Sequence, residues 1–149
     1  MSDNPDMLVP LLNGLPNRSK YPAAARGNAT IRRVVEADRD ALFGFIRAHF
    51  DAGWANAIDV SMARQPPAAY VAAVSSRLVG FAFYDAGNLG TFGPLGVDEE
   101  WRNRGIGAAL LLRCLFAMRA HGYAYAVIRQ VGPEDFYQKV CGATLILGS

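Results

Sequence analysis

A chain of 149 residues, 52% of them hydrophobic, can bury one core but is too short for two domains of ordinary size. Its 15 basic and 13 acidic residues leave a formal net charge of +2, spread without the basic stripe or tail that phosphate-backbone binding leaves, so no nucleic acid partner is expected. Cys114 and Cys141 form no CxxC pair and have no His or Cys neighbours at metal-ligand spacing, which argues against a metal site and fits a reduced, cytoplasmic setting.

The opening residues are acidic and offer only LVPLLNGL, broken by Pro10 and Asn13, a poor signal-peptide core and far below membrane-spanning length. A soluble, non-exported protein with no membrane partner is expected. Residues 7 to 12 read as an added edge strand, and residues 13 to 29, NGLPNRSKYPAAARGNA, concentrate the Pro, Gly, Asn and Ser of a linker. Residues 1–29 are thus an N-terminal extension, and the compact domain, 30–149, starts near Thr30.

TIRRVVEA reads as a strand, and ADRDALFGFIRAHF then places Ala41, Leu42, Phe45, Ile46 and Phe50 near helical spacing, with Asp38 in the N-cap position. In DAGWANAIDVSMARQ, Trp54, Ile58 and Met62 recur at i, i+4 and predict a shorter helix ended by Pro66 and Pro67. AAYVAAV and LVGFAFY, separated by the SSR turn, predict a hairpin, and DAGN is the next turn. LGTFGPLGV carries the apolar residues of a strand, yet Pro94 removes a backbone donor and Gly93 and Gly96 remove side chains, the pattern of an edge or a bulge. From about Gly105 to Ala120 a helix is expected that is apolar nearly all round, Arg113 and Arg119 being the main exceptions, and hence largely buried. YAYAVIRQV reads as a strand, PEDFYQKV as a short helix bounded by Gly132-Pro133 and Gly142, and ATLIL as a last strand. Strands and helices alternate, so the class is α/β or α+β with helices on a mixed sheet.

WRNRGIGAALLL, residues 101 to 112, crowds Arg102 and Arg104 before two glycines at the mouth of an apolar helix. Glycine inside a helix costs about 1 kcal/mol relative to alanine, so Gly105 and Gly107 need a reason. The first amides of a helix lack intrahelical partners, the macrodipole adds partial positive charge, and glycine lets ligand oxygens approach those N–H groups. A phosphate site is one reading, and tight packing of helix on sheet is the other; spacing alone leaves them level. A dinucleotide fingerprint would need glycine or alanine where Leu110 stands and an acidic residue ending the next strand at Val131. A P-loop would need Gly-Lys-Ser or Gly-Lys-Thr.

The run Arg102-Asn103-Arg104-Gly105-Ile106-Gly107 resembles the R-x-x-G-x-G signature of the GNAT superfamily of N-acetyltransferases, with Val97 five residues upstream where that family ends its fourth strand. DFYQKVCGA resembles the family's F-Y-x-K-x-x-G region, and FGPLGV with VGPEDFY resembles a subgroup of it. The likeness is strong from about Val79 to Leu145 and weaker, in the right order, from Thr30. It implies a mixed, mostly antiparallel sheet with splayed central strands flanked by helices. It also implies acetyl-CoA as cosubstrate, its pyrophosphate on the amides of residues 102 to 107 with Ala108 continuing the helix start, and its pantetheine along Leu95, Gly96 and Val97. If two strands splay there, unpaired backbone groups around Leu95 and Val97 need partners, which an extended ligand supplies.

Acetyl transfer to an amine needs a neutral nucleophile, stabilisation of the oxyanion and a proton for the departing thiolate. Tyr137 falls on the family's usual tyrosine and is implied as general acid; read alone, it is the amphipathic border of a short helix with Phe136, Val140 and Cys141 inside. No base is named: residues 90 to 97 hold no ionisable side chain, and His49, Asp51 and Asp85 are the candidates, acting through water. Backbone N–H groups of the Leu95–Val97 strand would polarise the thioester carbonyl. His121 reads as a helix C-cap, Asp98, Glu99 and Glu100 as a solvated loop face, and both cysteines as core.

Asn103 stands where the family often has glycine, Arg129-Gln130 puts bulk near the acceptor channel, and the family's usual further strand after ATLIL is missing before Gly148-Ser149. An uncovered sheet edge invites pairing, so a homodimer is expected. The reading is an acetyl-CoA-dependent N-acetyltransferase for a small-molecule or peptide amine. Its acceptor would enter near Phe50, Asp51, Trp54 and Asp59, groups suited to a cation. The alternative, from the absent strand carboxylate, is a catalytically silent acyl-CoA-binding module; a nucleotide-binding regulatory domain ranks third.

Overall fold

In the computed structural model, residues 4–16, 24–25 and 29–148 are described. The strands are β1 (Met7–Pro10), β2 (Ala24–Ala25), β3 (Ala29–Arg33), β4 (Ala69–Val74), β5 (Arg77–Tyr84), β6 (Thr91–Val97), β7 (Tyr125–Ile128) and β8 (Thr144–Leu145). The helices are α1 (Arg39–His49), α2 (Ala57–Met62), α3 (Ile106–Ala120) and α4 (Glu134–Cys141). One sheet runs β2-β3-β4-β5-β6-β7-β1-β8, and β6–β7 is its parallel pair.

Side chains on β4 and β5 alternate between two cores, with one register shift at Val79 where the period of 2 skips a residue. Tyr70, Ala72, Val79, Ala82 and Tyr84 face α3, while Ala69, Val71, Leu78, Phe81 and Phe83 join Leu42, Phe45, Ile46 and Ile58 of α1 and α2. The apolar belt of α3 sinks Leu110, Leu111, Leu112, Cys114, Leu115 and Met118 into the first core. Arg113, the exception on that helix, donates to Ile31 O at 3.2 Å and lies over the Tyr70 ring.

Several elements differ from their sequence expectations. Asp38 stands at the α1 N-cap, but its carboxylate makes no cap bond. It turns back to take both Arg32 guanidinium nitrogens, at 2.7 and 2.8 Å, and Val35 N at 2.8 Å. That pairing holds the Asp38 carboxyl below its ordinary pKa, the Arg32 hydrogen bond leading. The second helix is confined to α2, since Asp51 instead caps a 3₁₀ turn over Ala52–Asn56 by accepting Gly53 N. Asp98 is not part of a solvated face: it is 3% exposed, accepts Glu100 N at 3.0 Å and pairs with Arg77 at 3.1 Å.

The main correction concerns the N-terminus. Residues 7–10 form no edge strand; β1 lies between β7 and β8, pairing Met7 with Ile128 and Leu145 and Leu8 with Val127 and Thr144. Met7, Val9 and Leu11 are fully buried, worth about 1.5–3 kcal/mol each. The packed sheet therefore begins before Thr30. Within the expected linker, Ala24 and Ala25 pair with β3, while residues 17–23 and 26–28 lie outside the described residues. The short β8 is left at the sheet edge. A chain begun at Thr30 is expected to melt well below the intact chain, and to expose β7 as an aggregating edge, in parallel thermal-melt and light-scattering measurements.

Candidate functional site

The site is organised by a strand that leaves its neighbour. β6 stays with β5 through Gly80↔Val97, Phe81↔Gly96 and Ala82↔Leu95, with a register shift before Tyr84↔Phe92. Against β7 it pairs only at Thr91↔Val127 and Phe92↔Ile128. Beyond Phe92, across Gly93 and Pro94, the two strands diverge. Asp98 N–H bonds Val79 O at 2.8 Å; since N–H groups alternate sides along a strand, those of Val97 and Leu95 face away from β5 into the gap.

The glycines along this path serve different ends. A Cβ on Gly96 would stand 2.7 Å from the Phe50 ring and 2.8 Å from the Phe81 ring. Gly96 is therefore fixed by an aromatic stack of Phe50, Trp54 and Phe81, in which Phe50 and Trp54 lie 5.4 Å apart at 15°. Gly105 has φ +83° and a left-handed conformation as the N-cap of α3, which costs a side-chain-bearing residue about 1–2 kcal/mol. Gly107 is different: a Cβ there meets nothing closer than Phe136 at 3.6 Å, ordinary contact. The protein's own packing does not demand glycine at 107.

At the α3 start, Ala109 N closes the first turn on Gly105 O at 3.1 Å, and the N–H groups of Ile106, Gly107 and Ala108 have no intrahelical acceptor. With the macrodipole, these open amides carry the partial positive charge that favours anions. Asn103, φ +64°, takes the left-handed turn that glycine would make there. Arg102 Nε donates to Val97 O at 3.0 Å, and Arg104 stacks over Trp101 at 4.5 Å and donates to Glu100 O at 3.4 Å. Both arginines brace the loop with exposed side chains.

On the other side of the divergence is a cleft of about 880 Å³ lined by Trp54, Leu95, Arg129, Phe136 and Tyr137 among others. Tyr137 projects from α4, edge-on to Phe92 at 6.3 Å and to Phe136 at 5.0 Å. Burial pushes its phenol up to about 12, the Cys141 thiol adding to the effect. The hydroxyl is thus a proton donor, not an anion, at neutral pH.

The expected base and acceptor groups do not gather here. Asp51 caps a turn; Asp85 accepts Gly90 N at 2.7 Å and the Tyr123 hydroxyl at 3.1 Å; His49 packs on Phe45 at 4.9 Å. Of Phe50, Asp51, Trp54 and Asp59, only Trp54 lines the cleft, since Phe50 covers Gly96 and Asp59 is paired with Arg39 on the surface. Sequence reasoning missed the N-terminal contribution. Asn4 lines the cleft, Asp6 Oδ1 accepts Gln130 N at 2.9 Å, and Val131 N donates to Pro5 O at 2.8 Å. Among the described residues no group of three or more His, Cys, Asp or Glu is placed to hold a metal, and no helix is long and apolar enough to cross a membrane.

A model described as the acetyltransferase (GNAT) family matches residues 31–143. The chain belongs to the GNAT acetyltransferase family. No curated protein matches it significantly. Among solved structures it is similar to a GCN5-related glucosamine N-acetyltransferase region of a fungal multi-domain GH3 β-N-acetylglucosaminidase, with TM-score 0.77, 17% identity, and coverage of 98% of this chain and 20% of that one. A GCN5-related N-acetyltransferase from Sphaerobacter thermophilus gives TM-score 0.74 at 22% identity, over 95% of this chain and 48% of that one. A GNAT family N-acetyltransferase from Escherichia coli in complex with CoA gives TM-score 0.60 at 23% identity, over 80% and 69%. The chain spans half or less of the first two relatives, and these likenesses establish the GNAT fold.

Two stability measurements check this geometry. Gly105→Ala should lower unfolding free energy by about 1–2 kcal/mol, whereas Gly107→Ala should leave it unchanged or raise it by up to about 1 kcal/mol, read from urea transitions. Because the Tyr137 phenol titrates near 12 in the fold against an ordinary 10.0, the folded state holds the proton that the unfolded chain releases. Stability should therefore fall as pH rises from 10 to 12, and Tyr137→Phe should make that fall shallower by on the order of 2 kcal/mol.

Proposed function

We propose that this GNAT protein transfers an acetyl group from acetyl-CoA directly to a primary amine. The observation that carries the reading is the divergence of β6 from β7, which leaves strand amides open between an anion-attracting helix start and a buried, protonated phenol. The CoA pyrophosphate would rest on the amides from Arg102 to Ala108, and the pantetheine would pair with the backbone of Leu95 and Val97. Support comes from Gly107, whose missing side chain the fold itself does not require, and from the E. coli fold relative, described in complex with CoA.

Amine attack on the thioester carbonyl forms the new C–N bond and an oxyanion, which backbone N–H groups of β6 stabilise. Collapse breaks the C–S bond; the thiolate takes the Tyr137 proton, and the surplus proton of the attacking neutral amine, passed through water, restores the phenol. A positioned acid of this kind is worth about 10²–10⁴ in rate. A second reading, an acyl-CoA-binding module without turnover, is favoured by the cleft's lack of any lining carboxylate or histidine among the described residues.

Thermal shift separates the ligand classes, because a ligand that binds the folded state raises the melting temperature by mass action. Acetyl-CoA and CoA should stabilise the chain and NAD and ATP should not; the reverse pattern overturns the transferase reading. Gly107→Ala should cut the acetyl-CoA shift without lowering the unliganded melt. With an amine panel, Tyr137→Phe should slow CoA release about 10²–10⁴-fold; shifts without turnover on any amine favour the binding module.

A further inference from the structure

The cleft that holds Tyr137 has an unusual charge inventory for a site meant to admit an amine. Its ionisable lining groups among the described residues are Arg129 and Tyr137. The tyrosine is held neutral by burial, so the charge of the cleft wall is the Arg129 guanidinium. The surrounding surface is apolar and aromatic, from Trp54, Leu95, Phe92 and Phe136, with neutral amides at Asn56 and Asn88. The carboxylates expected to attract a cationic acceptor are engaged elsewhere, Asp51 in its turn and Asp59 with Arg39, and Asp85, a candidate base, is held in the β5–β6 turn.

A primary amine arrives mainly as a cation, and a wall carrying positive charge repels it. An acceptor that also carries an anionic group cancels this penalty, and a guanidinium is well suited to bind carboxylate or phosphate by two parallel hydrogen bonds. Arg129 is placed for such a role. It follows β7 at the point where β6 has moved away, and its side chain is 58% exposed. Its carboxylate neighbour is at a loose 3.9 Å, where Asp6 Oδ2 faces Arg129 Nε while Oδ1 is committed to Gln130 N at 2.9 Å. Asp6 thereby steers the guanidinium without closing a tight ion pair on it.

We propose that the acceptor is a zwitterionic amine: a primary amine with a carboxylate or phosphate a few bonds away and an apolar body, its anionic end held by Arg129. The inference rests on the acetyl-transfer reading for its chemistry, and on the cleft alone for its specificity. It makes polycationic amines poor acceptors, since among the described residues the cleft lining carries no carboxylate to neutralise a second ammonium.

The test uses matched pairs on the intact chain with saturating acetyl-CoA: phenylalanine against phenylalanine amide for the carboxylate, and glucosamine 6-phosphate against glucosamine for the phosphate, with spermidine as the polycation. CoA release should favour the anionic member of at least one pair by about tenfold or more in kcat/KM, the scale of one charge-assisted hydrogen bond. Which pair shows the preference separates carboxylate from phosphate. Arg129→Gln should erase it mainly through KM, and Arg129→Lys should restore part of it, with unchanged melting temperatures because the residue is exposed. Equal use of both members in both pairs, a preference for spermidine, or a ratio untouched by Arg129→Gln overturns the inference. Should no amine turn over, calorimetric binding of the same pairs to the CoA-loaded protein decides it separately. Anion-selective binding lost in Arg129→Gln sustains the inference while the transfer reading fails; binding without that selectivity, or no binding, sinks it.

Discussion

Backbone hydrogen bonding is the constraint on which this molecule turns. A strand in the middle of a sheet should satisfy both of its edges, and β6 satisfies only one beyond Phe92. Main-chain groups that leave the sheet ladder must find other partners, in water or in a ligand, and the flanking structure holds the divergence in place. On one face Phe50 and Phe81 press on Gly96 and fix β6 against β5; on the other, α3 begins immediately beyond the loop that follows it. The same departure opens the cleft between Leu95 and Arg129 and gives access to the phenol of Tyr137.

The local sequence around that gap is a set of answers to separate physical demands, and the glycines show it best. Gly96 yields space to aromatic rings, Gly105 accepts a left-handed backbone, and Gly107 satisfies neither demand. Charges are sorted in the same way. Asp98 ties the β6–α3 connection to Arg77, Arg102 reaches back to Val97, and Arg104 lies flat on Trp101, so the loop is held by its own side chains while its helical amides point outward.

Much of this was legible beforehand because it lives in local pattern. The hairpin, the α3 belt and the two-motif spacing from Arg102 to Tyr137 depend on periodicity and on residues close in sequence, and the glycine and proline interruptions marked the irregular β6. What escaped depended on distant partners. The alternation of Met7, Val9 and Leu11 carried a strand signal, but nothing in those residues names Ile128 and Thr144 as neighbours of that strand. Asp38 had the right residue type for a cap and was drawn off by Arg32, a stronger charge-assisted partner. The chemistry of Asp51 and Asp59 suits a cationic acceptor, whereas their partners, Gly53 N and Arg39, commit them to turn-capping and to the surface.

The position of β1 also sets a timetable. Its partners lie more than a hundred residues later in the chain, at Ile128 and Leu145, so β1, which precedes the other strands of this sheet in the chain, is among the last that can dock. Long-range pairings of this kind slow folding because the intervening loop must close before any contact rewards it. Until then β7 and β8 have no strand between them, and the segment carrying Tyr137 between those strands lacks its lateral support.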